Sequence, residues 1–190
     1  TTTLEAKSGY GLTLEDEIKS LEVIKKIDNE LELDILPTFL GAHAVPQDLK
    51  TSEYVEKICN DMIPEVAEKK LAVFCDVFCE DGYFNIAESR KILNTAKSFG
   101  LIPRVHADEF KYFGASELAA EVSAISADHL MVINECGINA LSNSNTVATL
   151  LPGTTFFLNK DQYADGRKLI DGGCSVALAT DFNPGTCTLS

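Results

Sequence analysis

The feature that most constrains this chain is an alternation. Short β-branched or apolar runs recur at 2–7, 35–40, 72–78, 102–105, 125–128, 146–151 and 176–179, seven strand candidates separated by segments of helical periodicity. The clearest helical segment, 14–31, keeps Ile18, Leu21, Ile24, Ile27 and Leu31 on one face, and Thr13 with Asp16 three residues on predicts a capping box at its start. The next, 52–70, sets Val55, Ile58 and Met62 on one side, and Pro64 is expected to kink or break it. A helix over 86–99 should be capped by Gly100. Shorter helical patterns follow at 115–122, 135–141 and 162–170. Strands and helices alternating through short loops imply parallel strands joined by right-handed crossovers. No linker-like composition interrupts the pattern, which predicts one domain over 1–190. A complete eight-fold barrel takes roughly 250 residues. The expectation is therefore an α/β chain forming a partial TIM-type (β/α)8 barrel of about seven units.

Charge and cysteine usage narrow the function classes. Sixteen Lys and Arg against 29 Asp and Glu leave a net charge of −13, which repels phosphate backbones and anionic lipid surfaces. Nucleic acid and membrane are thus excluded as expected partners. The six cysteines form no Cys-x-x-Cys pair and no zinc-type spacing with histidine. They read as reduced, mostly buried thiols of a cytoplasmic protein. Cys75 and Cys79, four apart in one strand run, face the same side, a poor geometry for a disulfide. The chain opens on Thr1-Thr2-Thr3, which reads as a fragment or a trimmed piece.

Metal-competent and polar residues stand where the strand runs end. These are Tyr10 in Ser8-Gly9-Tyr10-Gly11, His43, His106 with Glu109, His129, and Asp181 followed by Asn183-Pro184-Gly185-Thr186. Ionisable residues at strand C-termini are how a (β/α) barrel builds an active site. A neutral imidazole from His106 and a carboxylate from Asp181 suit a divalent transition metal, whose charge makes hydroxide available near neutral pH. The competing reading makes His106 a satisfied interior histidine and Asp181 a turn former. Glu109 can handle a proton or hold a ring nitrogen, or it can be a solvated loop residue. His129 can stabilise an oxyanion, or be a hydrogen-bonded core histidine. Tyr10 and His43 can bind substrate oxygens, although the glycines flanking Tyr10 also suit a plain tight turn. The amides of the Asn183 to Thr186 segment can face a substrate anion, though this is also ordinary turn chemistry. Lys7, Asp76 and Glu80 read as buried polar pairs without a catalytic role.

Across these residues the chain resembles the imidazolonepropionases of the amidohydrolase superfamily. The stretches that carry the resemblance are Glu5-Ala6-Lys7-Ser8-Gly9-Tyr10-Gly11-Leu12, Thr38-Phe39-Leu40-Gly41-Ala42-His43-Ala44-Val45-Pro46, Cys75-Asp76-Val77-Phe78-Cys79-Glu80, His106-Ala107-Asp108-Glu109-Phe110, Ser126-Ala127-Asp128-His129-Leu130, Leu150-Leu151-Pro152-Gly153-Thr154-Thr155-Phe156-Phe157-Leu158 and Ala177-Leu178-Ala179-Thr180-Asp181-Phe182-Asn183-Pro184-Gly185. The resemblance implies hydrolysis of the ring amide of 4-imidazolone-5-propanoate to N-formimidoyl-L-glutamate. It implies one zinc or iron ion per subunit, held by His106 and Asp181 and by a His-x-His pair on the first barrel strand. This sequence contains no His-x-His, so its seven strands would be the second to eighth and two ligands would lie upstream. An arginine for the propionate group would lie upstream as well. The resemblance also implies catalytic roles for Asp181, His129 and Glu109. It assigns substrate contacts to Tyr10, His43, Glu109, Asn183, Gly185 and Thr186, and leaves a homodimer as the oligomer in view. Two alternatives stay open: a related amidohydrolase that deaminates a heterocycle, and a non-catalytic barrel scaffold or binding protein.

Overall fold

A computed structural model describes residues 1–188. The chain divides into two compact units, Thr1–Phe78 with Gly82–Pro103, and Cys79–Asp81 with the chain from Arg104 onward.

The first unit opens with β1 (Thr3–Lys7), α1 (Leu14–Glu30) and β2 (Asp34–Ala42). β1 pairs parallel to β2 in unbroken register from Thr3 opposite Asp34 to Lys7 opposite Thr38. Thr13 caps α1 as expected, its hydroxyl accepting the Asp16 amide at 3.2 Å. The apolar stripe of α1 is only half used: Ile18 and Leu21 are buried, whereas Ile27 and Leu31 are exposed. Glu17, one turn in, is fully buried instead.

Pro64 does not break the next helix. α2 (Thr51–Lys57) runs into a π-helical turn over Ile58–Met62 and on into α3 (Ile63–Glu68), with Pro64 in the first turn of α3. The Ile63 amide reaches back five residues to the Ile58 carbonyl. The wider turn supplies the slack that a proline, lacking an N–H, would otherwise force as a kink. β3 (Phe74–Cys79) pairs parallel to β2 with an irregularity between Phe39 and Ala42, and every residue of β3 is buried. α4 (Ile86–Ser98) starts on an Asn85–Glu88 capping box, and Gly100 follows its end at φ +85°. Leu21, Phe39, Tyr54, Ile58, Ile63, Phe84, Ile92 and Leu93, all inaccessible, form the core of this unit. Truncating one of its aliphatic members to alanine would cost about 2–5 kcal/mol.

The chain passes into the second unit within β4 (Ile102–Ala107). Then come α5 (Ala115–Glu121), β5 (Ser126–His129), α6 (Glu135–Ser142), β6 (Val147–Leu150), α7 (Pro152–Phe157), α8 (Gly166–Asp171) and β7 (Val176–Leu178). β4 to β7 are parallel and neighbour one another in chain order. All seven expected strands are present, each shifted by no more than two residues at either end. Two differences stand out. α7 has no counterpart among the expected helices; Pro152 serves as its first residue. The helix placed over 162–170 begins only at Gly166, because Asp165 caps it by accepting the Lys168 amide at 2.9 Å.

Candidate active site

In the second unit the strand ends converge on one carboxyl group. β4 and β5 pair His106 with Asp128 and Ala107 with His129. Regular alternation would send Asp128 and His129 to opposite faces. At His129 the backbone leaves the strand at φ +79° and Leu130 follows at +57°, a left-handed pair that ends the pleat. The His129 ring thereby comes to 5.2 Å, centroid to centroid, from that of His106. Its Nδ1 lies 3.6 Å from Glu109 Oε1. All three side chains are buried. Burial pushes the Glu109 carboxyl up to about 7, with the charges of Asp181 and Glu80 adding to the rise and His106 and Lys160 opposing it. Arg104, two residues before His106 and on the same strand face, lies 3.6 Å from Asp128.

Two buried carboxylates shape the loop that carries Glu109. Asp108, at φ +48°, accepts the amides of Phe113 and Ala115 on one oxygen, and the amide and hydroxyl of Ser116 on the other. It does the capping that Gly114, which has no side chain, cannot do for α5. Glu80 accepts the amides of Phe110, at 2.9 Å, and Lys111, at 3.4 Å. Glu109 is thus held between two fixed points. At the end of β7, Asp181 also adopts a left-handed conformation, φ +53°, and Thr154 of α7 donates to its Oδ2 at 2.5 Å. Left-handed backbone at Asp108, His129 and Asp181 costs of order 1–3 kcal/mol each, and such strain clusters at functional sites.

The segment after Asp181 corrects one expectation. The amides of Gly185 and Thr186 do not face outward as an anion nest; Asn183 Oδ1 accepts them at 2.9 and 2.7 Å. The Asn183 amide group donates in turn to the Asp181 carbonyl at 2.7 Å. An Asx-type turn thereby braces the backbone of Asp181 from behind.

The first unit holds an aromatic pair of its own. Tyr10 and His43 meet edge to face with ring centroids 5.3 Å apart, and Phe78 lies 6.1 Å beyond His43. Tyr10 is 61% exposed. The flanking glycines are sterically required. A Cβ on Gly9, at φ +120°, would stand 2.8 Å from the Leu40 carbonyl, and one on Gly11 would stand 2.7 Å from Asp16 Cβ. Behind the pair, β1 to β3 hold a polar network: Lys7 donates to Asp76 at 2.6 Å, and Thr38 to Glu5 at 2.5 Å. The buried polar pairing expected for Lys7 and Asp76 is this one; Glu80 serves the Glu109 loop instead.

The donor chemistry of the second unit fits a divalent ion. His106 is a buried imidazole, and both it and Asp181 lie within electrostatic reach of Glu109. An imidazole with carboxylates suits a borderline cation such as zinc or iron.

No protein-family model matches the chain. Among curated proteins it is 54% identical over 188 residues to the imidazolonepropionase of Bacillus cytotoxicus, an alignment covering 98% of this chain and 44% of that one. The imidazolonepropionase of Bacillus mycoides matches with the same identity and coverage. By sequence the chain belongs with the imidazolonepropionases. It spans less than half the length of these relatives. Among solved structures, guanine deaminase from C. acetobutylicum superposes with a TM-score of 0.71 at 13% identity, over 98% of this chain and 48% of that one. The 5-methylcytosine deaminase from Klebsiella pneumoniae gives 0.68 at 14%, over 95% and 48%. At such identities the likeness shows the fold alone, and that fold is a partial (β/α) barrel of the amidohydrolase type.

For this imidazolonepropionase relative, the structure gathers His106, His129, Glu109 and Asp181 in one unit and Tyr10 with His43 in the other. Sequence reading missed Asp108 and Thr154 in the second unit and Glu17 and Tyr54 in the first, and it read Glu80 as a buried polar residue without giving it the Glu109 loop as partner. One signal was available for Glu17, an acidic residue aligned with Ile18 and Leu21 on the inward side of its helix. Among the described residues no helix is long and apolar enough to cross a membrane.

Proposed function

We propose that an intact chain carrying these residues is an imidazolonepropionase, adding water across the ring amide C–N bond of 4-imidazolone-5-propanoate to give N-formimidoyl-L-glutamate. The observation that carries the reading is 54% identity to the B. cytotoxicus enzyme over nearly the whole chain. The meeting of His106, His129, Glu109 and Asp181 in the second unit supports it. Residues 1–190 would act as one incomplete barrel domain of a cytoplasmic enzyme.

His106 and Asp181 would hold one zinc or iron ion, with two further ligands from sequence outside this stretch. The ion would supply Lewis-acid activation of water and carbonyl. Asp181 takes the proton of the attacking water. His129 donates to the oxygen on which negative charge develops at the ring carbonyl. Glu109, with its pKa near neutrality, binds the ring N–H and delivers a proton to the departing nitrogen. Tyr10 and His43 hydrogen-bond substrate oxygens, and Asn183, Gly185 and Thr186 contact the substrate or the opened product.

The test is turnover of imidazolonepropionate by the full-length enzyme against a panel of aminated heterocycles, before and after chelation. Amide hydrolysis that disappears with the metal and returns with zinc or iron is expected. Release of ammonia from the panel, with imidazolonepropionate untouched, would overturn the reading in favour of a deaminase.

A further inference from the structure

The first unit contains a buried carboxyl group with no part in the chemistry above. Glu17 is fully inaccessible. It lies one turn into α1, yet its Oε1 turns back to accept the amides of Gly11 at 2.8 Å and Leu12 at 3.2 Å. Those amides belong to the loop that presents Tyr10, and Leu12 holds a left-handed φ of +61° while doing so. The other oxygen, Oε2, is buried without a hydrogen-bond partner. Burying such an atom costs free energy, so the net gain in stability from Glu17 is small and its main consequence is geometric.

Tyr54, also inaccessible, plays the matching part on α2. Its hydroxyl donates to the Gly41 carbonyl at 2.9 Å, two residues before His43. Burial raises its pKa, and the nearby Glu17 charge adds to the rise. The two anchors are therefore neighbours, one fixing the loop under Tyr10 and the other the strand end under His43. The glycines leave these loops little room to shift, since Gly9 packs on Leu40 and Gly11 on Asp16.

We infer that Glu17, assisted by Tyr54, is a positioning residue that sets the approach of Tyr10 to His43 and thereby the affinity for substrate. This rests on the reading that Tyr10 and His43 touch substrate. Neither anchor touches the reacting atoms, so the effect belongs in KM and not in kcat.

The experiment is steady-state hydrolysis of imidazolonepropionate by full-length enzyme carrying Glu17→Ala, Glu17→Gln, Tyr54→Phe, Tyr10→Ala, and Glu17→Ala with Tyr10→Ala. Glu17→Ala should raise KM about tenfold with kcat within about twofold, because a small misplacement of a binding group is costly. Glu17→Gln retains an acceptor oxygen for both amides and should restore KM to within about twofold of the parent. Tyr54→Phe keeps the packing, loses one hydrogen bond, and should raise KM about threefold even if Glu17→Ala folds poorly. In the Tyr10→Ala background, Glu17→Ala should add nothing further. An unchanged KM in Glu17→Ala, with Tyr10→Ala still raising it, would sink the inference and leave the substrate reading standing. An equal KM penalty in both backgrounds would also sink it. If Tyr10→Ala leaves KM unmoved, the substrate reading itself fails and the inference falls with it.

Discussion

The strand ends of the two units are built on different principles. In the first unit they present rings, Tyr10 exposed and His43 half-buried, set by glycine packing and by hydrogen bonds from the helices behind. In the second they present buried ionisable groups, with Glu109 raised to about 7 between His129, Asp181 and Glu80. In the first unit Lys7 meets the buried Asp76. The polar residues of the second leave a carboxyl group that titrates near neutrality. The difference teaches that strand ends can be built in two ways: by packing and hydrogen bonds that fix exposed rings, or by burial that shifts the titration of a carboxyl group.

The sharpest way to break this comparison is His106→Ala. Metal content of the full-length enzyme should fall from about one ion per chain towards none, and turnover should drop by roughly 10³-fold or more. Retained metal with retained turnover would make His106 a structural residue and move the chemistry out of the second unit.

Glu109→Gln should lower kcat by about 10²–10⁴-fold with little change in KM. The same change has a signed effect on stability. Folding raises the Glu109 pKa from its ordinary 4.5 to about 7. Its stabilising contribution is therefore complete below 4.5 and lost as pH rises through 7. In metal-free protein, Glu109→Gln should gain on the parent by about 2.5 kcal/mol between pH 5 and pH 8. Denaturant midpoints at the two pH values measure it, and parallel pH dependence in both proteins would contradict the assigned environment.

Thr154→Val keeps the shape of the side chain but removes the donor to Asp181. A loss of about 10–100-fold in metal affinity is expected from the loosened ligand, read by competition with a chelator. Unchanged affinity would mean that the Asn183 turn alone holds Asp181. The smallest effect is expected in the first unit: Tyr10→Phe should raise KM about three- to tenfold and leave kcat alone. A fall in kcat with constant KM would erase the difference between the two kinds of strand end.

Much of the fold was legible in advance, for a local reason. Strand and helix periodicities differ, so the runs at 35–40 and 102–105 announce themselves against the long apolar stripe that begins at Ile18. The capping pairs Thr13–Asp16 and Asn85–Glu88 act within a single turn, and the first was readable as such. Legibility failed where a residue's partner is distant in sequence or its role is ambiguous. α7, which starts at Pro152, has no apolar periodicity long enough to announce it. Pro64 promised a break and received a π turn. Ile27 and Leu31 continued an apolar stripe that packing did not use.

The sequence by itself determined the order of the elements, the parallel class of the strands, the strand-end placement of His43, His106, His129 and Asp181, and the family. These follow from periodicity and from motifs written in consecutive residues. Only the tertiary structure decided that His129 rotates back towards His106, that Glu80 holds a loop thirty residues away, that Asn183 satisfies the amides of Gly185 and Thr186, and that Glu17 is buried against the amides of Gly11 and Leu12. Each depends on a backbone dihedral or on a hydrogen bond made only after the chain has closed on itself. Burial, which gives Glu109 its pKa, is likewise a property of the surroundings and not of the residue.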